Sequence, residues 1–93
     1  MKTAMAALLG VVVRIEVDAE QDLSRESEFD DLRHAVGRVY GMRRAAEMML
    51  AELSDPDRSS ADFYAVRTAL DEMKARTDER VDFHYERIKA VRS

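Results

Sequence analysis

The chain contains no cysteine, one proline and three glycines among 93 residues, and only 6% of its residues are aromatic. Without cysteine there is no disulfide framework, no thiolate nucleophile and no cysteine-ligated metal site. The scarcity of proline and glycine argues against an all-β fold, which needs many turn residues. At 46% hydrophobic residues, the chain is also too apolar for intrinsic disorder. We therefore expect one helical domain over 1–93, in a reducing cytoplasm as the simplest compartment.

Charge and hydropathy exclude two further classes of protein. The net charge is −4, whereas a nucleic-acid-binding domain usually carries a basic excess, so we expect no nucleic-acid partner. The apolar stretch Ala4–Val13 is too short to span a bilayer, which predicts no membrane span. This stretch also resembles the start of a secretory signal with a candidate cleavage site at residues 17–19. The charged residues Arg14 and Glu16 lie between the apolar stretch and this candidate site, which argues against cleavage.

The N-terminal segment 3–17 has two alternative interpretations. Met5, Leu8, Val12 and Ile15 follow three- and four-residue steps, which indicates a short helix. Residues 11–17 are rich in β-branched side chains, which favours a strand instead, although a lone strand would need an edge supplied by another chain. We predict the helix. Residues 19–27 then connect it to the next helix. Asp22, Ser24 and Ser27 are its candidate N-caps, and residues 27–30 resemble a capping box.

Two longer segments carry apolar residues at alternating three- and four-residue steps, over 28–53 and 61–91. Between them, residues 54–60 contain proline, aspartates and serines, which predict a turn. The fold class is therefore all-α, with a long antiparallel helical hairpin as its main body. We expect its apolar seam to be the interaction face, completing a bundle by oligomerisation. The seam consists of Phe29, Leu32, Val36, Val39, Leu50, Leu53, Phe63, Val66, Leu70, Met73 and Ile88.

Three further residues on predicted helix 28–53 stand out, one within the apolar seam and two beside it. Arg43 occupies a seam position, and a turn centred near residue 57 places it opposite Asp71, so we predict that this pair sets the register. Gly37 and Gly41 lie four residues apart. Because each glycine in the middle of a helix costs about 1 kcal/mol relative to alanine, we predict that both permit close helix packing.

A metal-binding bundle is an alternative, because His34 follows Asp30 and Asp31 on one helical face. Helical carboxylate–histidine pairs of this kind line di-metal sites. The facing helix offers acidic residues at 79, 82 and 86, but it lacks a matching carboxylate–histidine pair at three-residue spacing. We therefore expect no metal, no cofactor and no catalytic residues. A nucleic-acid-linked regulator, with residues 11–17 as a strand shared across a dimer, is the third hypothesis.

These patterns favour a non-catalytic protein–protein interaction or assembly module that binds a second copy or another helical protein. The layout of a helix, Ser54-Asp55-Pro56 and a second helix resembles that of small secretion-apparatus subunits and their co-chaperones. The resemblance implies an assembly role in secretion as an alternative function.

Overall fold

The computed structural model describes residues 3–53 and 61–92, which form three α-helices. These are α1 (Thr3–Ser24), α2 (Phe29–Ala51) and α3 (Ala61–Arg92). No strand occurs in the described residues, so the all-α prediction is confirmed. The helices form an elongated bundle with extents of 53 × 17 × 15 Å. The turn predicted over 54–60 lies outside the described residues.

Helix α1 extends well beyond the predicted segment 3–17. Its apolar row continues from Ile15 through Ala19 and Leu23, which are 1% and 0% exposed. Since this row gives the helix a buried face over its whole length, residues 19–24 are helical, and the prediction that they connect two elements is wrong. The strand alternative for residues 11–17 is also wrong, because this stretch lies inside α1.

The start of α2 differs from the capping box predicted at Ser27. Glu28 is the N-cap residue, with extended backbone, and it makes no side-chain capping hydrogen bond. The Leu32 amide donates to the Glu28 carbonyl oxygen at 2.9 Å. Asp30 and Asp31 lie in the first turn, where negative charge interacts favourably with the helix dipole.

Helices α2 and α3 are antiparallel neighbours. Arg43 pairs with Asp78, and Glu47, one turn further along α2, pairs with Lys74, one turn earlier on α3. The chain therefore forms the antiparallel α2–α3 arrangement that the sequence predicts.

Helix α1 runs parallel to α3 and closes the bundle. Glu16 pairs with Arg76 and Glu20 with Arg80, so both helices advance in the same direction. The start of α1 thus lies at the same end of the bundle as the start of α3 and the end of α2. Met5, Leu8, Val12 and Ile15 join residues of both other helices in one core cluster there.

The apolar seam predicted as the interaction face is buried inside the chain, where α1 occupies the position predicted for a partner. Seven seam residues are at most 1% exposed, namely Leu32, Val39, Leu50, Val66, Leu70, Met73 and Ile88, and Val36 is 8% exposed. Phe29, Leu53 and Phe63 are half-buried beside the two core clusters. In this arrangement the seam is not available to a second chain.

Candidate functional site

A polar cluster joins α3 to the end of α1 around the buried imidazole of His84, which is 2% exposed. Nε2 of this ring lies 3.1 Å from Oε1 of Glu20. Nδ1 accepts a hydrogen bond from Nε of Arg87 at 3.0 Å. Because a guanidinium can only donate, Nδ1 carries no proton here, and Nε2–H donates to Glu20. Both nitrogens of the imidazole are thus hydrogen-bonded within the chain.

Glu20 is shared between His84 and Arg80. Nε and Nη2 of Arg80 donate to its two carboxylate oxygens at 2.8 and 2.7 Å. These hydrogen bonds are the largest cause that lowers the pKa of Glu20 below its ordinary value of 4.5, and the bond from His84 adds to them, while partial burial acts in the opposite direction. Glu20 is therefore held as a carboxylate.

Arg87 connects this cluster to the backbone at the end of α1. Its Nη2 donates to the carbonyl oxygens of Glu26, at 2.7 Å, and Leu23, at 3.4 Å. Carbonyl groups at a helix C-terminus lack intrahelical donors, so a guanidinium satisfies them. The contact fixes the end of α1 and the connection that follows it against α3.

The His84 cluster links α3 to α1 through side-chain contacts. Both nitrogens of the buried His84 ring are bound to side chains of the chain, Glu20 and Arg87. This cluster was not predicted from the sequence. The available signal was the placement of Arg80, His84 and Arg87 on one face of α3, at steps of four and three residues.

The metal-site alternative has no support from the geometry. His34 is exposed on α2, whereas His84 lies in the core. No three histidine, aspartate or glutamate side chains in 3–53 and 61–92 come close enough together to hold a metal ion. His34 and the acidic residues at 79, 82 and 86 are therefore not brought into one site.

The predicted register pair Arg43–Asp71 is wrong. Nη1 of Arg43 lies 2.6 Å from Oδ1 of Asp78, and the arginine side chain is only 12% exposed. Its guanidinium also lies over the Tyr40 ring, 4.9 Å from the centroid. Asp71 instead lies 3.6 Å from Arg67 of its own helix. The ion pairs between α2 and α3 join residues whose numbers have their midpoint between 60 and 61. The prediction assumed a midpoint near residue 57 and therefore chose the wrong aspartate.

The solvent side of α2 is the second notable surface. We call five exposed residues at three- and four-residue steps the α2 outer face: His34, Gly37, Gly41, Arg44 and Met48. A Cβ atom added to either glycine would meet no atom within 4 Å. The prediction that these glycines permit close packing is therefore wrong for contacts inside the chain.

An open groove of about 670 Å³ runs between α1 and α2 and meets the α2 outer face at Gly41. Gly41, Met42 and Ala45 line its α2 side. At one end Arg38 donates from Nε and Nη2 to both carboxylate oxygens of Asp22, at 2.8 Å each. Further along α2, Met49 is 47% exposed. The groove thus combines small and apolar side chains with a charged rim.

No helix in the described part of the chain has both the length and the apolar character needed to cross a bilayer. Comparisons with known protein families, with curated proteins and with solved structures find no match to this chain.

Proposed function

We propose that this chain is a non-catalytic interaction or assembly module that binds a helix on the α2 outer face. The helix comes from a second copy or from another helical protein. The observation that carries the proposal is the open space over Gly37 and Gly41, two glycines in the middle of an exposed helical face.

Nothing in the described part of the chain requires glycine at these two positions. Neither residue has a positive φ, and a Cβ atom added to either would meet no atom of a neighbouring helix within 4 Å. Each glycine nevertheless costs about 1 kcal/mol of helix stability relative to alanine. Close approach of an external helix is a physical reason for this cost, because a row of small residues lets two helix backbones come together.

Methionines extend the same surface. Met48 is 54% exposed and Met49 is 47% exposed, next to small residues of α2. Unbranched, polarisable methionine side chains adapt to different partner surfaces, and exposed apolar area often marks an interface. The glycines leave room for the backbone of a helix, and the methionines can adapt to its side chains.

Binding of a second copy is tested by measuring the molar mass of the purified protein. Size-exclusion chromatography with light scattering gives this mass over a range of protein concentrations. Gly41→Leu blocks close approach, while leucine improves helix propensity by nearly 1 kcal/mol. We expect the mass of the wild type to rise with concentration and Gly41→Leu to remain a monomer with undiminished thermal stability.

Gly10→Leu is the matched control. Gly10 also has open space around its Cβ position, but it lies on α1, away from the α2 outer face. This variant should associate as the wild type does. Equal association of the wild type and both variants, or a monomeric wild type at every concentration, would contradict self-association through the α2 outer face.

A further inference from the structure

The solvent side of α3 is acidic. We call five exposed residues at three- and four-residue steps the α3 outer face: Glu72, Ala75, Glu79, Asp82 and Glu86. Glu72 lies 3.7 Å from Arg76 of the same helix. The other three acids form no ion pair among the described residues. Their negative charge is therefore available to an external partner.

The α2 outer face has the opposite character. No acidic residue occurs from position 32 to 46, a stretch that contains four arginines. Arg33, Arg38 and Arg43 pair inside the chain, with Asp30, Asp22 and Asp78. Arg44 is exposed and forms no ion pair within 3–53 and 61–92. It thus leaves an unpaired positive charge between Gly41 and Met48.

The two faces match each other in antiparallel register from His34 to Arg44, while Glu86 lies opposite Asp30, which pairs with Arg33 of its own helix. His34 and Arg44 are ten residues apart, as are Glu72 and Asp82, which corresponds to about 15 Å along each helix. Placing Arg44 opposite Glu72 therefore places His34 opposite Asp82. The same register puts Gly41 opposite Ala75, where two small residues permit close approach of the backbones.

We propose that the α3 outer face of a second copy docks antiparallel on the α2 outer face, with Arg44 opposite Glu72 of that copy. The inference rests on the proposed function and specifies which face of the second copy binds. Since the two faces lie on different helices of one bundle, each copy in a single docked pair retains one unoccupied face. The contact is heterologous, so the assembly grows beyond a dimer or closes into a ring.

Salt should weaken this assembly, because its charged contacts lie on the surface. Exposed ion pairs contribute little each, and the Debye length falls from about 30 Å at about 0.01 M salt to about 3 Å at about 1 M. We expect sedimentation velocity to show weight-average mass rising with concentration in low salt and much less association in high salt.

Charge exchange tests the proposed register. Arg44→Glu and Glu72→Arg each place like charges opposite one another, and each should weaken association about tenfold. The double variant Arg44→Glu/Glu72→Arg restores an opposite pair and should associate within about threefold of the wild type. Arg14→Glu, on α1, changes net charge as Arg44→Glu does and should leave association unchanged. Thermal melting of each variant confirms that it is folded.

The outcomes separate this inference from the proposed function. If the wild type associates and Gly41→Leu blocks association, but neither salt nor the charge exchange has an effect, docking of α3 is wrong and binding at the α2 outer face stands. Failure of the double variant to recover also overturns the proposed register. A wild type that remains monomeric in low salt at every concentration contradicts docking of α3 and self-association through the α2 outer face.

Discussion

Gly37→Ala and Gly41→Ala should each stabilise the folded chain. An added methyl group meets no atom within 4 Å at either position, so the substitution introduces no clash. Alanine also restricts the unfolded chain more than glycine does, and the gain is about 1 kcal/mol at each site in the middle of a helix. The gain arises from the backbone of each residue, and neither added methyl group meets another side chain, so the double variant should gain about 2 kcal/mol. At about 4–8 °C per kcal/mol for a domain of this size, its Tm should rise by roughly 8–16 °C.

The assay is thermal and urea unfolding followed by circular dichroism, in dilute protein where association is absent. Ala45→Gly is the matched control, because Ala45 is exposed near the same glycines and the reverse substitution should lower the unfolding free energy by about 1 kcal/mol. A neutral or destabilising effect of Gly41→Ala in dilute protein would refute the reasoning. It would mean that the added methyl meets atoms of the chain and that Gly41 is packed rather than open.

Two further predictions concern the polar contacts of α1. His84→Ala should lower the unfolding free energy by about 2–4 kcal/mol in urea titrations, because it leaves a cavity and removes two hydrogen bonds at a site 2% exposed. Arg80→Ala should cost less, since the ion pair of Arg80 with Glu20 is about 40% exposed, and an equal loss would contradict the account. Hydrogen bonds from Arg80 and Arg38 lower the pKa values of Glu20 and Asp22 below 4.5 and 3.8, respectively. The two carboxylates therefore stabilise the fold at pH values above these ordinary pKa values. This stabilisation is lost as the pH falls through the lowered pKa values. Urea titrations at decreasing pH should therefore show a falling free energy of unfolding below about pH 4.5. The fall should be less steep in Glu20→Gln. The same pH dependence in this variant as in the wild type would contradict the role assigned to Glu20.

The spacing of apolar residues predicted α2 and α3 because that signal is local to each helix. It did not predict the end of α1. Ala19 is a weak hydrophobic signal, and the neighbouring Glu20 and Asp22 are typical of a connection when seen alone. Their partners, Arg80 and Arg38, lie far away in sequence, and only the packed bundle brings them together. The length of α1 therefore depends on tertiary contacts.

Local sequence patterns also did not determine the α2–α3 register or which face of α2 is exposed. The sequence showed Arg43 at a seam position, but the choice between Asp71 and Asp78 depends on how the chain turns between the helices. It also showed Gly37 and Gly41 on one face of a helix. Which face is open depends on where α1 packs, and α1 packs on the seam, leaving the glycines to solvent.

The claim that α1 closes the seam within its own chain is tested most directly by methyl nuclear Overhauser effects in an isotope-filtered sample. Val12 and Leu70 belong to one buried cluster, so their methyl groups should show strong cross-peaks. The account predicts that these cross-peaks arise within one chain and persist on dilution. Cross-peaks found only between differently labelled chains, or none at all, would contradict it, because α1 would then pack on another copy or leave the seam open.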